Sequence, residues 1–345
     1  MPNNKRRMAL IITTLFIFLI ILAAASMIYF SNKVRAVDQS QGGEQEFKWH
    51  YAMIGAAPKD QQWQEVYRGG FERGQQLDIY VENWAVDLME DFTAAQRMEM
   101  AIAAKVDGII INVDDEQEMG RLIDQATFYK IPVVTLIADV QGSERKSFVG
   151  SNDYFLGSLY GQQLIRLSRE KEAAGRNEKL KVCVLTDTSD LTEHPGNIYR
   201  GILEAIGDFS DEMDITSYQA GQKDSFETEE SIRELLLNEN KRPDVLVGLN
   251  AISTVSAYYS IIDFNLVGQV QLVGTTANKQ ILDGISKGII CSTVFVNEKE
   301  LGEQAVEILN SYNQKGYCSE YVTVDVALIN QENIAEYQIQ ENAYE

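Results

Sequence analysis

From Lys48 onward, short apolar runs alternate with longer amphipathic stretches, and this alternation leaves few folds open. Residues 51–57, 79–81, 108–113 and 132–137 read as buried strands, separated by helix-length stretches at about 62–75, 92–105 and 116–129. Near-continuous apolar strands that alternate with helices imply a parallel sheet covered on both faces. Right-handed crossovers then give a doubly wound unit. The pattern starts again further on, with strands at 182–185, 244–249, 271–275 and 289–295. Helices are expected at about 198–206, 229–238, 253–264 and 279–286. A long amphipathic helix follows Asn297 to about Tyr312, and a last apolar run, 322–328, closes the series. The reading is therefore α/β, with two doubly wound parallel-sheet lobes in tandem. Ligands in such sheets bind beyond the carboxyl ends of the strands, which directs attention to the loops after Ala57, Val113, Ile137, Thr186, Leu249, Thr275 and Phe295.

The N-terminus differs abruptly from the rest. Residues 1–8 form a basic tail with Lys5-Arg6-Arg7, and residues 9–30 carry no charge. About 20 helical residues span a hydrocarbon core, so 9–30 is read as one transmembrane helix. A cleaved signal peptide is the alternative, because Ala23-Ala24-Ala25 offers a small-residue site. The apolar run continues past it through Phe30, which favours a retained anchor. The cationic tail favours a cytoplasmic N-terminus and an extracytoplasmic remainder. Residues 31–46, with Gly42-Gly43 and several Gln, read as a linker.

The chain carries a net −21. All charges ahead of Asp38 are positive (Lys5, Arg6, Arg7, Lys33, Arg35), so the remainder carries −26. Such a surface repels nucleic acid and anionic lipid. Three cysteines, two of them inside apolar runs, do not make a disulfide framework. His50 and His194 have no ligand-like spacing, so no metal site and no cofactor is expected. Ser168-Arg169-Glu170-Lys171 spells S-x-x-K but lies in a charged helical stretch, and there is no G-x-S-x-G elbow or Walker loop. An enzyme is thus the minor alternative.

Several loop sequences carry a family resemblance. Asp107-Gly108-Ile109-Ile110-Ile111-Asn112, Ile131-Pro132-Val133-Val134-Thr135 and Phe148-Val149-Gly150-Ser151-Asn152-Asp153 resemble the type I periplasmic sugar-binding proteins. So do Asp244-Val245-Leu246-Val247-Gly248-Leu249-Asn250 and Asp283-Gly284-Ile285. Ribose- and galactose-binding proteins are well-known members, and lactose-repressor-like ligand domains share the fold. The resemblance covers about residues 48–330. It implies that the lobes exchange strands: lobe one at 48–151 plus 297–324, lobe two at 152–296 plus 325–345. Three crossings near Ser151, Val296 and Asp325 would form a hinge that closes on ligand.

The resemblance also implies the ligand contacts. Trp63, beside Gln62, would stack on an apolar sugar face. Asn112, Asn152 and Asn250 stand at polar cleft positions, and Phe226 offers an aromatic from lobe two. Departures concern the charged grips. Ile137 and Ala138 replace an Asp-Arg pair, with Asp139 just beyond. Ile198 replaces an Arg, Thr276 an Asp, and Val296 a Gln. Their loss removes the strongest hydroxyl grips, since charge-assisted hydrogen bonds are about twice as strong as neutral ones. The expected function is a membrane-anchored binder of a small polar, carbohydrate-like ligand for ABC-type uptake through a permease. The alternative is a sensing subunit that signals to a membrane histidine kinase.

Overall fold

A computed structural model describes residues 47–55, 61–84, 92–113, 116–176, 178–186, 193–220 and 225–342. The expected span at 9–30 lies outside these residues. Among the described residues no helix is long and apolar enough to cross a membrane.

Two six-stranded sheets organise the region from Trp49. The first contains β1 (Trp49–Ile54), β2 (Ile79–Asn83), β3 (Gly108–Asn112), β4 (Val133–Leu136), β5 (Ser147–Gly150) and β11 (Tyr321–Thr323), in the order β11-β5-β4-β3-β1-β2. The second contains β6 (Leu180–Thr186), β7 (Met213–Gln219), β8 (Val245–Gly248), β9 (Gln271–Thr275), β10 (Ser292–Val296) and β12 (Val326–Asn330), in the order β12-β10-β9-β8-β6-β7. Every pairing is parallel except β10 with β12. The central strands are apolar at nearly every position because helices cover both faces: Ile109, Ile110 and Ile111 in β3, and Val245, Leu246 and Val247 in β8, are all fully buried.

The helices are α1 (Gln61–Gln76), α2 (Ala94–Ala104), α3 (Glu116–Phe128), α4 (Asp153–Ala173), α5 (Glu193–Ile206), α6 (Ser225–Leu237), α7 (Ala251–Asp263), α8 (Lys279–Ser286), α9 (Glu298–Lys315) and α10 (Ile334–Asn342). Several start where the sequence supplies a cap. Thr93 and Gln96 form a capping box at α2. Asn152, Asn250, Asn278 and Asn297 each accept a hydrogen bond from the backbone N–H three residues on.

The chain passes between the sheets three times: after β5, after β10 and between β11 and β12. The crossings are stitched together, with Val324 N donating to Gly150 O at 3.0 Å and Asn297 N to Asp325 O at 3.1 Å. Residues 322–328, read from sequence as one strand, are therefore two. Val324-Asp325 is the passage from one sheet to the other.

One helix contact fixes lobe one closely. A Cβ added at Gly302 of α9 would lie 1.8 Å from Val66 O, and one at Gly69 of α1 would lie 1.9 Å from Lys299 O. α1 and α9 thus meet backbone to backbone.

Candidate ligand cleft

An inner cavity of about 200 Å³ lies where the strands of both sheets end. Gln62, Ile137, Gly150 and Leu301 line it from lobe one. Leu156, Tyr160, Thr186, Ile198, Leu249, Asn250, Ala251, Thr275 and Thr276 line it from lobe two, and Ser151 and Val296 come from the crossings. None of these lining residues is charged. The polar groups are amides and hydroxyls, set among aliphatic walls. Tyr160 is buried, which pushes its hydroxyl pKa upward against a hydrogen bond with Thr275. It therefore stays a neutral phenol across the physiological range.

A wider cavity of about 580 Å³ adjoins the first and shares Gln62, Ala251 and Thr276 with it. Its wall is charged, with Glu65, Arg68, Glu298, Lys299, Glu300, Glu303 and Asp325.

Two similar turns, one from each lobe, line the inner cavity. Ile137, directly after β4, has φ +65°, and Thr276, directly after β9, has φ +63°. Left-handed backbone at a β-branched residue is strained by about 1–3 kcal/mol. Each is held by a cross-strand bond of the same kind: Ile137 N donates to Val149 O at 3.1 Å, Thr276 N to Val294 O at 3.0 Å. Ala138 N also donates to Leu136 O at 2.7 Å, closing a three-residue turn around Ile137. The Thr276 hydroxyl donates to Glu298 Oε1 at 3.1 Å, and Glu298 is buried at the start of α9.

The residues expected to contact ligand are dispersed. Gln62, Asn250 and Thr276 line the inner cavity. Asn250 also caps α7, accepting from Ser253 N at 2.7 Å. Asn152 caps α4 beside the lining residue Ser151.

Trp63 requires correction. It is 3% exposed and packs in the lobe-one core with Tyr51, Met53 and Val66, its ring against Gly55 and its Nε1 3.4 Å from Asn83 Oδ1. One residue is a turn of about 100° on a helix, so α1 sends Trp63 to the sheet and Gln62 to the cleft. Phe226 is 74% exposed on α6 and lines neither cavity. Asn112 ends β3, half-buried, and also lines neither. Asp139 is taken up by Arg145 Nη2 at 2.7 Å, by Val140 N at 2.8 Å and by Thr135 Oγ1 at 3.3 Å. Burial opposes the Arg145 charge, but the bond and field of Asp139, joined by Tyr321, outweigh it and raise the guanidinium pKa.

Leu156 and Tyr160 were not foreseen. Their signal is the inward stripe Leu156, Tyr160, Leu164, Leu167 of α4, which precedes the charged helical stretch at 168–171 in the same helix. Among the described residues no group of His, Cys, Asp and Glu is arranged to hold a metal.

Residues 52–316 match the family described as periplasmic binding protein domain. The chain belongs to that family. Its fold is that of the type I sugar-binding members. GanP, a glucose-galactose binding protein from Geobacillus stearothermophilus, superposes with a TM-score of 0.70 at 20% identity, covering 84% of this chain and 99% of its own. A solute-binding protein from Burkholderia graminis in complex with D-arabinose gives 0.74 at 15% identity, covering 84% and 98%. XylFII, solved in a complex with LytSN, gives 0.68 at 21% identity, covering 84% and 100%. No match is found among curated protein sequences.

Proposed function

We propose that this protein closes its lobes outside the cell membrane on a small, uncharged, polar ligand with an apolar face, and delivers it to an ABC-type importer. Residues 9–30 hold it to that membrane. The observation that carries the reading is the inner cavity: both lobes and two crossings line it, and among the described residues no lining side chain is charged. Amide and hydroxyl groups among aliphatic walls suit a ring with few hydroxyls. A hydroxyl-rich hexose is disfavoured, because the bidentate grips are replaced by Ile137, Ala138, Ile198 and Val296.

The test is thermal unfolding of the full chain with neutral monosaccharides, deoxysugars, nucleosides and polyols. A ligand at 100 times its Kd stabilises by about 2.7 kcal/mol, a shift of several degrees. If none of them raises the Tm, the solute-binding reading falls.

One observation favours a second reading, a sensor subunit acting through a membrane histidine kinase. The structural neighbour XylFII was solved bound to another protein, LytSN. Co-purification of a permease from the native membrane supports uptake, and co-purification of a kinase supports sensing.

A further inference from the structure

One strip of the outer face of lobe two, along α7, lacks the charge that covers the rest of the protein. From Leu249 to Asn278 the only charged residue is Asp263, in a chain with 81 charged residues out of 345. At the centre of this stretch, α7 buries Ala257, Tyr258 and Ile261 against the sheet. Its opposite side is also apolar: Ile252 is 51% exposed, Tyr259 45% and Ile262 37%, with Val255 half-buried between them. These positions, spaced three and four apart, form one stripe along the helix. The hydroxyl-bearing residues Ser253, Thr254, Ser256 and Ser260 of α7 are buried, so what the helix shows to solvent is chiefly this apolar stripe. Phe226 and Leu237 on the neighbouring α6 extend the exposed patch.

The flanks of the stripe differ in charge. α6, α7 and α8 share one core against the same face of the sheet and lie in that order. On one flank α6 exposes Glu227, Glu229, Glu230 and Glu234 against a single Arg233. On the other, α8 and its C-cap expose Lys279 and Lys287 against Asp283.

We infer that this face is a two-fold interface with a second copy of the chain, α7 packed parallel to its counterpart. A two-fold axis along α7 lays the acidic α6 of each copy over the lysine-bearing α8 of the other. An axis across α7 would instead stack acid on acid. Isologous pairing of this kind is the commonest closed assembly.

Sedimentation of the full chain in detergent tests this. A dimer is expected for the native sequence. Tyr259→Arg and Ile262→Arg should each weaken it by roughly thirtyfold or more, since a buried interface aromatic commonly contributes about 2 kcal/mol. Both side chains are exposed in the single chain, so the Tm of the monomer should not move. In a Cys291→Ser, Cys318→Ser background, Ile252→Cys and Ile262→Cys should each cross-link to the same residue of the second copy. Cross-linking only between position 252 of one copy and 262 of the other would overturn the parallel geometry. A monomeric native chain, or a Tyr259→Arg dimer of unchanged strength, would overturn the proposal.

Discussion

Lobe one and lobe two are the same sheet built twice, yet their matching turns are secured in different ways. Each sheet places its strands in the same spatial order, and each follows its third-from-edge strand with a left-handed β-branched residue, Ile137 or Thr276. Two positions later the lobes part. In lobe one Asp139 anchors a helix-free loop through Arg145. In lobe two Asn278 caps α8. Ile137 offers the cleft only an aliphatic side chain, whereas Thr276 reaches across the hinge to Glu298. The same turn thus recurs in both lobes, held in two different ways. The Thr276 turn is fastened to Glu298 of α9, and the Ile137 turn to Val149 of its own lobe.

Removing the lobe-one anchor should have the largest effect. Arg145→Ala leaves Asp139, with its side chain only 13% exposed, facing an empty site. The expected loss is about 3 kcal/mol, measurable by urea unfolding. The matching change in lobe two, Asn278→Ala, removes only a cap and should cost about 1 kcal/mol. Equal losses would show that the two turns are held alike.

Helix packing gives the next contrast. Gly302→Ala places a Cβ 1.8 Å from a backbone oxygen, which cannot move without separating α1 from α9, and should cost about 3 kcal/mol. Gly161→Ala in α4 meets the Ala205 side chain at 2.6 Å and should cost nearer 1 kcal/mol. Thermal unfolding ranks the two.

Lobe two also buries Tyr160, whose pKa lies above the ordinary phenol value of 10.0. The unfolded chain loses this proton first as pH rises, so the contribution is whole below pH 10 and declines above it. The slope is about 1.4 kcal/mol per pH unit. Tyr160→Phe should flatten the alkaline side of the stability profile, and an unchanged slope would exclude Tyr160 as its source. The smallest effect concerns the turns themselves. Thr276→Val removes the bond to Glu298 and should cost about 1 kcal/mol, while Ile137→Val should stay within about 0.5 kcal/mol of the native chain.

The interior of each sheet was legible because helices on both faces make β1, β3 and β8 almost purely apolar. Edges were not. β7 is half exposed and mixes Asp214, Thr216 and Ser217 with its apolar residues, so its pattern resembles a loop. β11 and β12 run together in sequence as one apolar stretch, and only tertiary pairing reveals that Asp325 divides them. In α4, Gly157 and Gly161 lower the helical signal because they serve a close approach to α5. The cleft was legible at the loop level and misread at the side-chain level. Sequence places Gln62 and Trp63 at the start of a helix, but which of them faces the cleft depends on the phase of α1 against β1. Asp139 could not be seen as taken without knowing that Arg145 folds back upon it.

The direct seating of α9 on α1 has a mechanical consequence. With no side chain between them at Gly69 and Gly302, the two helices cannot slide or tilt independently. α9 begins at the second crossing and runs 18 residues, roughly 27 Å, to the far end of lobe one. Gln62 in the cleft and Lys315 at the other end of α9 are thus carried by one closely joined helix pair. A displacement of one end of the pair is therefore shared by the other.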